Sequence, residues 1–92
     1  MGEAQYRKAA EDVIRIVGKD NIISATHCAT RLRMIVKDKD MINVKELEKL
    51  SLVKGTFFNA GQFQIIFGTG IVNKVYEELE KIGLHTLSKK EQ

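Results

Sequence analysis

The stretch Asn21-Ile22-Ile23-Ser24-Ala25-Thr26-His27-Cys28-Ala29-Thr30-Arg31-Leu32-Arg33-Met34-Ile35-Val36-Lys37 decides the fold. Its second half alternates: Leu32, Met34 and Val36 share one face, while Arg31, Arg33 and Ile35 share the other. A period of two over residues 30–37 predicts a half-buried strand with both arginines projecting together, away from the core. In residues 21–26, Ile22, Ile23 and Ala25 predict a short, largely buried strand. The cysteine falls between the two strands.

On the N-terminal side, Tyr6, Ala9, Ala10, Val13, Ile14 and Val17 recur at three-and-four spacing, with Arg7, Lys8, Glu11, Asp12 and Arg15 opposite. That is one amphipathic helix, stopped by Gly18. On the other side, Asp38, Lys39 and Asp40 form a polar turn, and Asn43 with Glu46 reads as a capping box opening a short helix through Leu47 and Leu50. Residues 52–58 and 62–67 read as strands joined by a hairpin turn at Asn59-Ala60-Gly61. In the later strand Phe63, Ile65 and Phe67 point one way, and Gln62 and Gln64 point to the arginines' side. Gly68, Thr69 and Gly70 lead into a last helix with Ile71, Val72, Val75, Tyr76, Leu79 and Ile82 on one side and Thr69 as its N-cap. The expected fold is α+β: a four-stranded antiparallel sheet with three helices on one face, in the order α-β-β-α-β-β-α. Residues 1–87 form the domain, and residues 88–92 form a polar tail, the start of a linker or a frayed end.

With 92 residues, the chain can bury about two thirds of its unfolded surface around one modest core. Its 43% hydrophobic and 29% charged residues exclude the disordered class. The net charge is +3, but the signs alternate along the helices rather than clustering, which argues against nucleic acid as a partner. One cysteine cannot form a disulfide within the chain, and no apolar stretch has the length or flanks of a signal peptide or membrane span. The expected setting is intracellular and reduced.

Thr26-His27-Cys28-Ala29-Thr30-Arg31-Leu32-Arg33 gathers the only cysteine, a histidine, hydroxyls and two guanidiniums. A lone cysteine is by default a small buried hydrophobe, and arginines on an open sheet face are commonly just solvated. A cysteine meant for burial gains nothing from such neighbours, whereas a thiolate carrying an anionic group needs them. Thr30 and the tight turn also offer backbone amides as an anion nest. On a strand, His27 points away from Cys28 unless the turn begins there. One cysteine and two histidines, with His85 far off, fall short of a four-ligand zinc site. Gly68-Thr69-Gly70 lacks the Lys-Ser/Thr pair of a P-loop. The aromatics Tyr6, Phe57, Phe58, Phe63, Phe67 and Tyr76 are assigned to the core.

The run from His27 to Arg33 resembles the active-site motif of the glucose-superfamily enzyme IIB domains of the bacterial phosphoenolpyruvate-dependent sugar phosphotransferase system. The resemblance extends through Gly18-Lys19-Asp20-Asn21-Ile22, Lys54-Gly55 and Asn59-Ala60-Gly61-Gln62-Phe63-Gln64-Ile65-Ile66-Phe67-Gly68. It implies that Cys28 takes a phosphoryl group from a phosphohistidine of enzyme IIA and passes it to a sugar bound by the membrane domain enzyme IIC. Thr30, Arg31 and Arg33 would hold the phosphoryl group, with His27, Gly61 and Gln64 supporting the site or docking a partner. The family needs no metal or other cofactor at this domain. The expected location is the cytoplasmic side of the membrane, within a transporter. His27 and the hairpin wording resemble the beta-glucoside, sucrose and trehalose branch. Two other functions compete: a phosphocysteine-based regulatory module, and a thiol redox sensor, which lacks a resolving cysteine in this chain.

Overall fold

The strand β2 (Arg31–Val36) lies inside a four-stranded sheet whose spatial order is β1-β2-β4-β3, with β1 spanning Ile22–His27, β3 Gly55–Asn59 and β4 Gln62–Ile66. All three pairings are antiparallel. The structure, a computed structural model, describes residues 2–83; His85 and the tail from residue 88 lie outside them. Helices α1 (Glu3–Val17), α2 (Val44–Glu48) and α3 (Val72–Ile82) complete the expected order.

The core follows the alternation. Leu32 and Met34 from β2, Phe63 and Ile65 from β4, and Ala25 from β1 are buried with Ala10 and Val13 of α1 and Val75 and Leu79 of α3. Completely burying a side chain such as Leu32 or Ile65 stabilises the fold by about 1.5–3 kcal/mol each. The opposite face carries the polar set. Thr26 pairs with Arg33, Arg33 with Gln64 and Gln64 with Phe57, so four strands contribute to one row across the open sheet.

Asn21 joins the elements around this sheet. It sits in a 3₁₀ turn, Lys19–Asn21, entered through Gly18, whose φ of 96° ends α1. Its buried side chain donates through Nδ2 to the Val17 and Asp38 carbonyls at 3.2 and 2.9 Å, and its Oδ1 accepts from the Asp38 N–H at 2.8 Å. One amide thereby ties the end of α1 to the exit of β2.

Several local expectations are corrected. Ile23, expected to be buried, is 47% exposed, because the register slips between Ile22 and Ser24 and a bulge turns the extra residue out. Phe57 and Phe58 are 49% and 41% exposed rather than core, since β3 is an edge strand. Thr69 does not cap α3: a turn closed by the Ile71 N–H on the Gly68 carbonyl (3.0 Å) places Ile71 at the N-cap. The segment read as a strand from residue 52 begins its pairing at Lys54, whose N–H donates to the Ile66 carbonyl at 2.7 Å. Asn43 does cap α2, accepting from the Glu46 N–H at 3.2 Å. The Glu46 carboxylate, however, pairs with Arg15 of α1 at 3.3 Å instead of closing the box.

Candidate active site

Two hairpins with two-residue loops set the geometry, and they differ. At Ala60-Gly61 both residues are left-handed, with φ of 52° and 81°, which is the backbone a closed two-residue turn requires. At Ala29-Thr30 neither φ is positive, in keeping with a methyl side chain followed by a β-branched residue. The Cys28 N–H donates to the Arg31 carbonyl at 3.0 Å, but the return bond from the Arg31 N–H to the Cys28 carbonyl is not formed. The loop therefore stays open. The Phe67 N–H, donating to the Thr30 carbonyl at 2.7 Å, pins it to the end of β4.

The Cys28 sulfur is exposed, and the N–H groups of Thr30 and Arg31 act on it. Desolvation pushes the thiol up, but these two amides, with a hydrogen bond and positive charge from Arg33, hold it below the ordinary thiol range. Among the described residues, Arg33 Nε is the one buried side-chain nitrogen or oxygen without a partner. It is a donor in reserve beside the sulfur.

Arg31 is held differently. Its Nη1 donates to Gln64 Oε1 at 2.9 Å, and its guanidinium carbon lies 6.0 Å from the centre of the Phe57 ring. Gln64, itself buried, also donates through Nε2 to Gln62 Oε1 at 3.4 Å. Arg33 thus attends the sulfur while Arg31 rests on a neutral amide and an aromatic ring.

His27 packs on the helix side. Its ring lies 4.6 Å from that of Tyr76, tilted by 55°, and its Nδ1 meets the Cys28 carbonyl at 3.1 Å. Cys28, Thr30, Arg31, Arg33 and Gln64 come together at one end of the sheet. Gly61 lies at the other end of β4, about 20 Å from Phe67 at ordinary strand rise. Phe57 was missed as a neighbour of the site. The signal was its alternation with Phe58, which must send one of the two rings to the open face.

Chemically, amides and guanidiniums around a thiolate suit a group that is nucleophile and then leaving group for an anion. Among the described residues, no three His, Cys, Asp or Glu side chains are grouped to hold a metal ion, and no helix is long and apolar enough to cross a membrane.

Fold and site together define a class of small α+β domain that presents one exposed cysteine of lowered pKa at a hairpin tip. The chain belongs to the EIIB family of the phosphotransferase system. A family profile described as "phosphotransferase system, EIIB" matches residues 11–43. A crystal structure of one domain of the PTS system IIabc component from Clostridium difficile is 63% identical, with a TM-score of 0.94, covering 100% of this chain and 97% of that one. The sucrose-specific EIIBC component of Staphylococcus xylosus is 50% identical over 78 residues, 84% of this chain and 16% of that protein. Its counterpart in Bacillus subtilis (strain 168) is 52% identical over 77 residues, 83% of this chain and 17% of that protein. A sucrose-specific EIIBCA component of Pediococcus pentosaceus is 47% identical over 74 residues, 80% of this chain and 11% of that protein. The chain thus spans only about a sixth of the length of most of these relatives.

Proposed function

We propose that this domain is a phosphoryl carrier in sugar uptake, with Cys28 as the residue that bears the phosphoryl group. The observation that carries this reading is the exposed Cys28 sulfur facing the Thr30 and Arg31 N–H groups and the Arg33 guanidinium. In the first step the thiolate attacks phosphorus on a phosphohistidine of enzyme IIA; the P–N bond breaks, an S–P bond forms and the imidazole leaves. In the second, a hydroxyl of the sugar held by enzyme IIC attacks phosphorus, the S–P bond breaks and the thiolate returns, the hydroxyl proton passing to the sugar-binding partner or solvent. Thr30 and Arg31 contribute backbone donors, Arg33 its unpartnered Nε, and Arg31 its guanidinium once it swings off Gln64, neutralising charge on the phosphoryl oxygens in transit.

The fusion of related domains in EIIBC and EIIBCA components supports enzyme IIC and enzyme IIA as partners, and a place on the cytoplasmic side of the membrane within a transporter. Their names support sucrose as the sugar. They also favour transport over a regulatory module or redox sensor.

The test is intact mass after incubation with phosphoenolpyruvate, the general phosphotransferase proteins and a sucrose-system enzyme IIA. Expected is one phosphoryl adduct on the native domain and none on Cys28→Ala. An adduct retained by Cys28→Ala overturns Cys28 as the carrier, and no adduct on either protein overturns the function.

A further inference from the structure

We propose that His27 is a positioning residue for this site: its imidazole donates to the Cys28 carbonyl and holds that carbonyl turned away from the Arg31 N–H, which is left to face the sulfur. This inference rests on the carrier reading of Cys28 for its purpose, though not for its geometry. In a closed two-residue hairpin the flanking residues exchange both N–H to carbonyl bonds. Here only one is made, from the Cys28 N–H to the Arg31 carbonyl at 3.0 Å. The carbonyl that would take the other bond is met by His27 Nδ1 at 3.1 Å. A carbonyl only accepts, so Nδ1 carries the proton in this contact.

The ring is held for this task from behind. It lies against Tyr76 at 4.6 Å, and the Tyr76 hydroxyl donates to the Ala25 carbonyl at 3.2 Å, two residues upstream in the same strand. Ala29 and Thr30, neither with a positive φ, keep the loop from closing by itself. Without a donor at position 27, the default pairing is the Arg31 N–H on the Cys28 carbonyl. The sulfur then loses one of its two backbone donors, and a carried phosphoryl group loses the same one.

The experiment measures alkylation of Cys28 by iodoacetamide against pH in the full 92-residue chain, which needs no phosphotransferase partner. His27→Phe keeps an aromatic ring on Tyr76 but has no donor. His27→Asn gives up the ring, yet its Nδ2 stands the same number of bonds from the backbone as Nδ1 and restores the donor. Arg33, the charged side chain that acts on the thiol, stays in both variants, as does Arg31. Loss of one net hydrogen bond to the thiolate corresponds to about a two- to tenfold slower reaction at neutral pH. The expected result is that slowing in His27→Phe, with the profile displaced to higher pH, and near-native behaviour in His27→Asn. Native reactivity in His27→Phe overturns the proposal, as does a His27→Asn slowed equally, which would make the ring a packing element only. Failure of the carrier reading is seen separately, as absence of the phosphoryl adduct on the native domain.

Discussion

Asn21→Ala should destabilise this domain by about 3 kcal/mol without touching Cys28. The side chain is 3% exposed, and truncation removes three hydrogen bonds, two donated by Nδ2 and one accepted by Oδ1. Each such bond contributes about 0.5–1.5 kcal/mol net, and the carbonyls of Val17 and Asp38 and the Asp38 N–H lose a partner in a part-buried setting. For a domain of this size the total stability is on the order of 5–10 kcal/mol, so the loss is a large fraction. The melting temperature should fall by roughly 10–20 °C. Urea unfolding followed by far-ultraviolet circular dichroism measures it: the midpoint should drop with the slope unchanged. Asn21→Asp keeps the acceptor but sets a carboxylate oxygen against two carbonyls, so it should be no better than alanine at neutral pH. A loss below about 1 kcal/mol in Asn21→Ala would refute the reasoning and show that each hairpin stands without this amide.

Arg33→Met should raise the Cys28 thiol toward the ordinary thiol range, delaying alkylation to higher pH. The native thiol is depressed, so its share of stability is fully present above the unfolded thiol's pKa and is lost as pH falls through the folded one. In Arg33→Met the gain in unfolding free energy from neutral to alkaline pH should shrink. Gln64→Glu sets a carboxylate opposite Arg33, so it should displace alkylation modestly to higher pH. It should slow phosphoryl transfer several-fold, as a carboxylate competes for the guanidinium now resting on an amide; single-turnover transfer separates the two effects. Ala60→Asn, at a left-handed φ of 52°, should stabilise the far hairpin by about 0.5 kcal/mol in the same urea titration.

Much of this architecture could be read from residue order because polar and apolar positions alternate independently in the two central strands. Leu32 and Met34 had to face the same layer as Phe63 and Ile65, and once they did, Arg31 and Gln64 had to meet. What escaped depended on one-residue events or on three-dimensional pairing. A bulge at Ile23 leaves no mark in a run of apolar residues, and an edge position for β3 is a property of the assembled sheet, not of Phe57 or Phe58. Asn21 reads as an ordinary turn residue until Asp38 is brought beside it. At the site, residue types single out Cys28, Arg31 and Arg33 as candidates. The separate postures of the arginines required knowing that Gln64 and Phe57 flank one of them.

The open loop at Ala29-Thr30 constrains traffic as well as charge. If Cys28 carries the phosphoryl group as proposed, that group is approached along the line opposite its S–P bond. In-line displacement makes a departing histidine leave along that line and an incoming sugar hydroxyl arrive along it. On that proposal donor and acceptor take turns at the same doorway, and the reaction would run as a ping-pong exchange in which neither waits beside the other. Each passage turns phosphorus inside out, so a chiral phosphoryl group would pass from histidine to sugar with its original handedness restored.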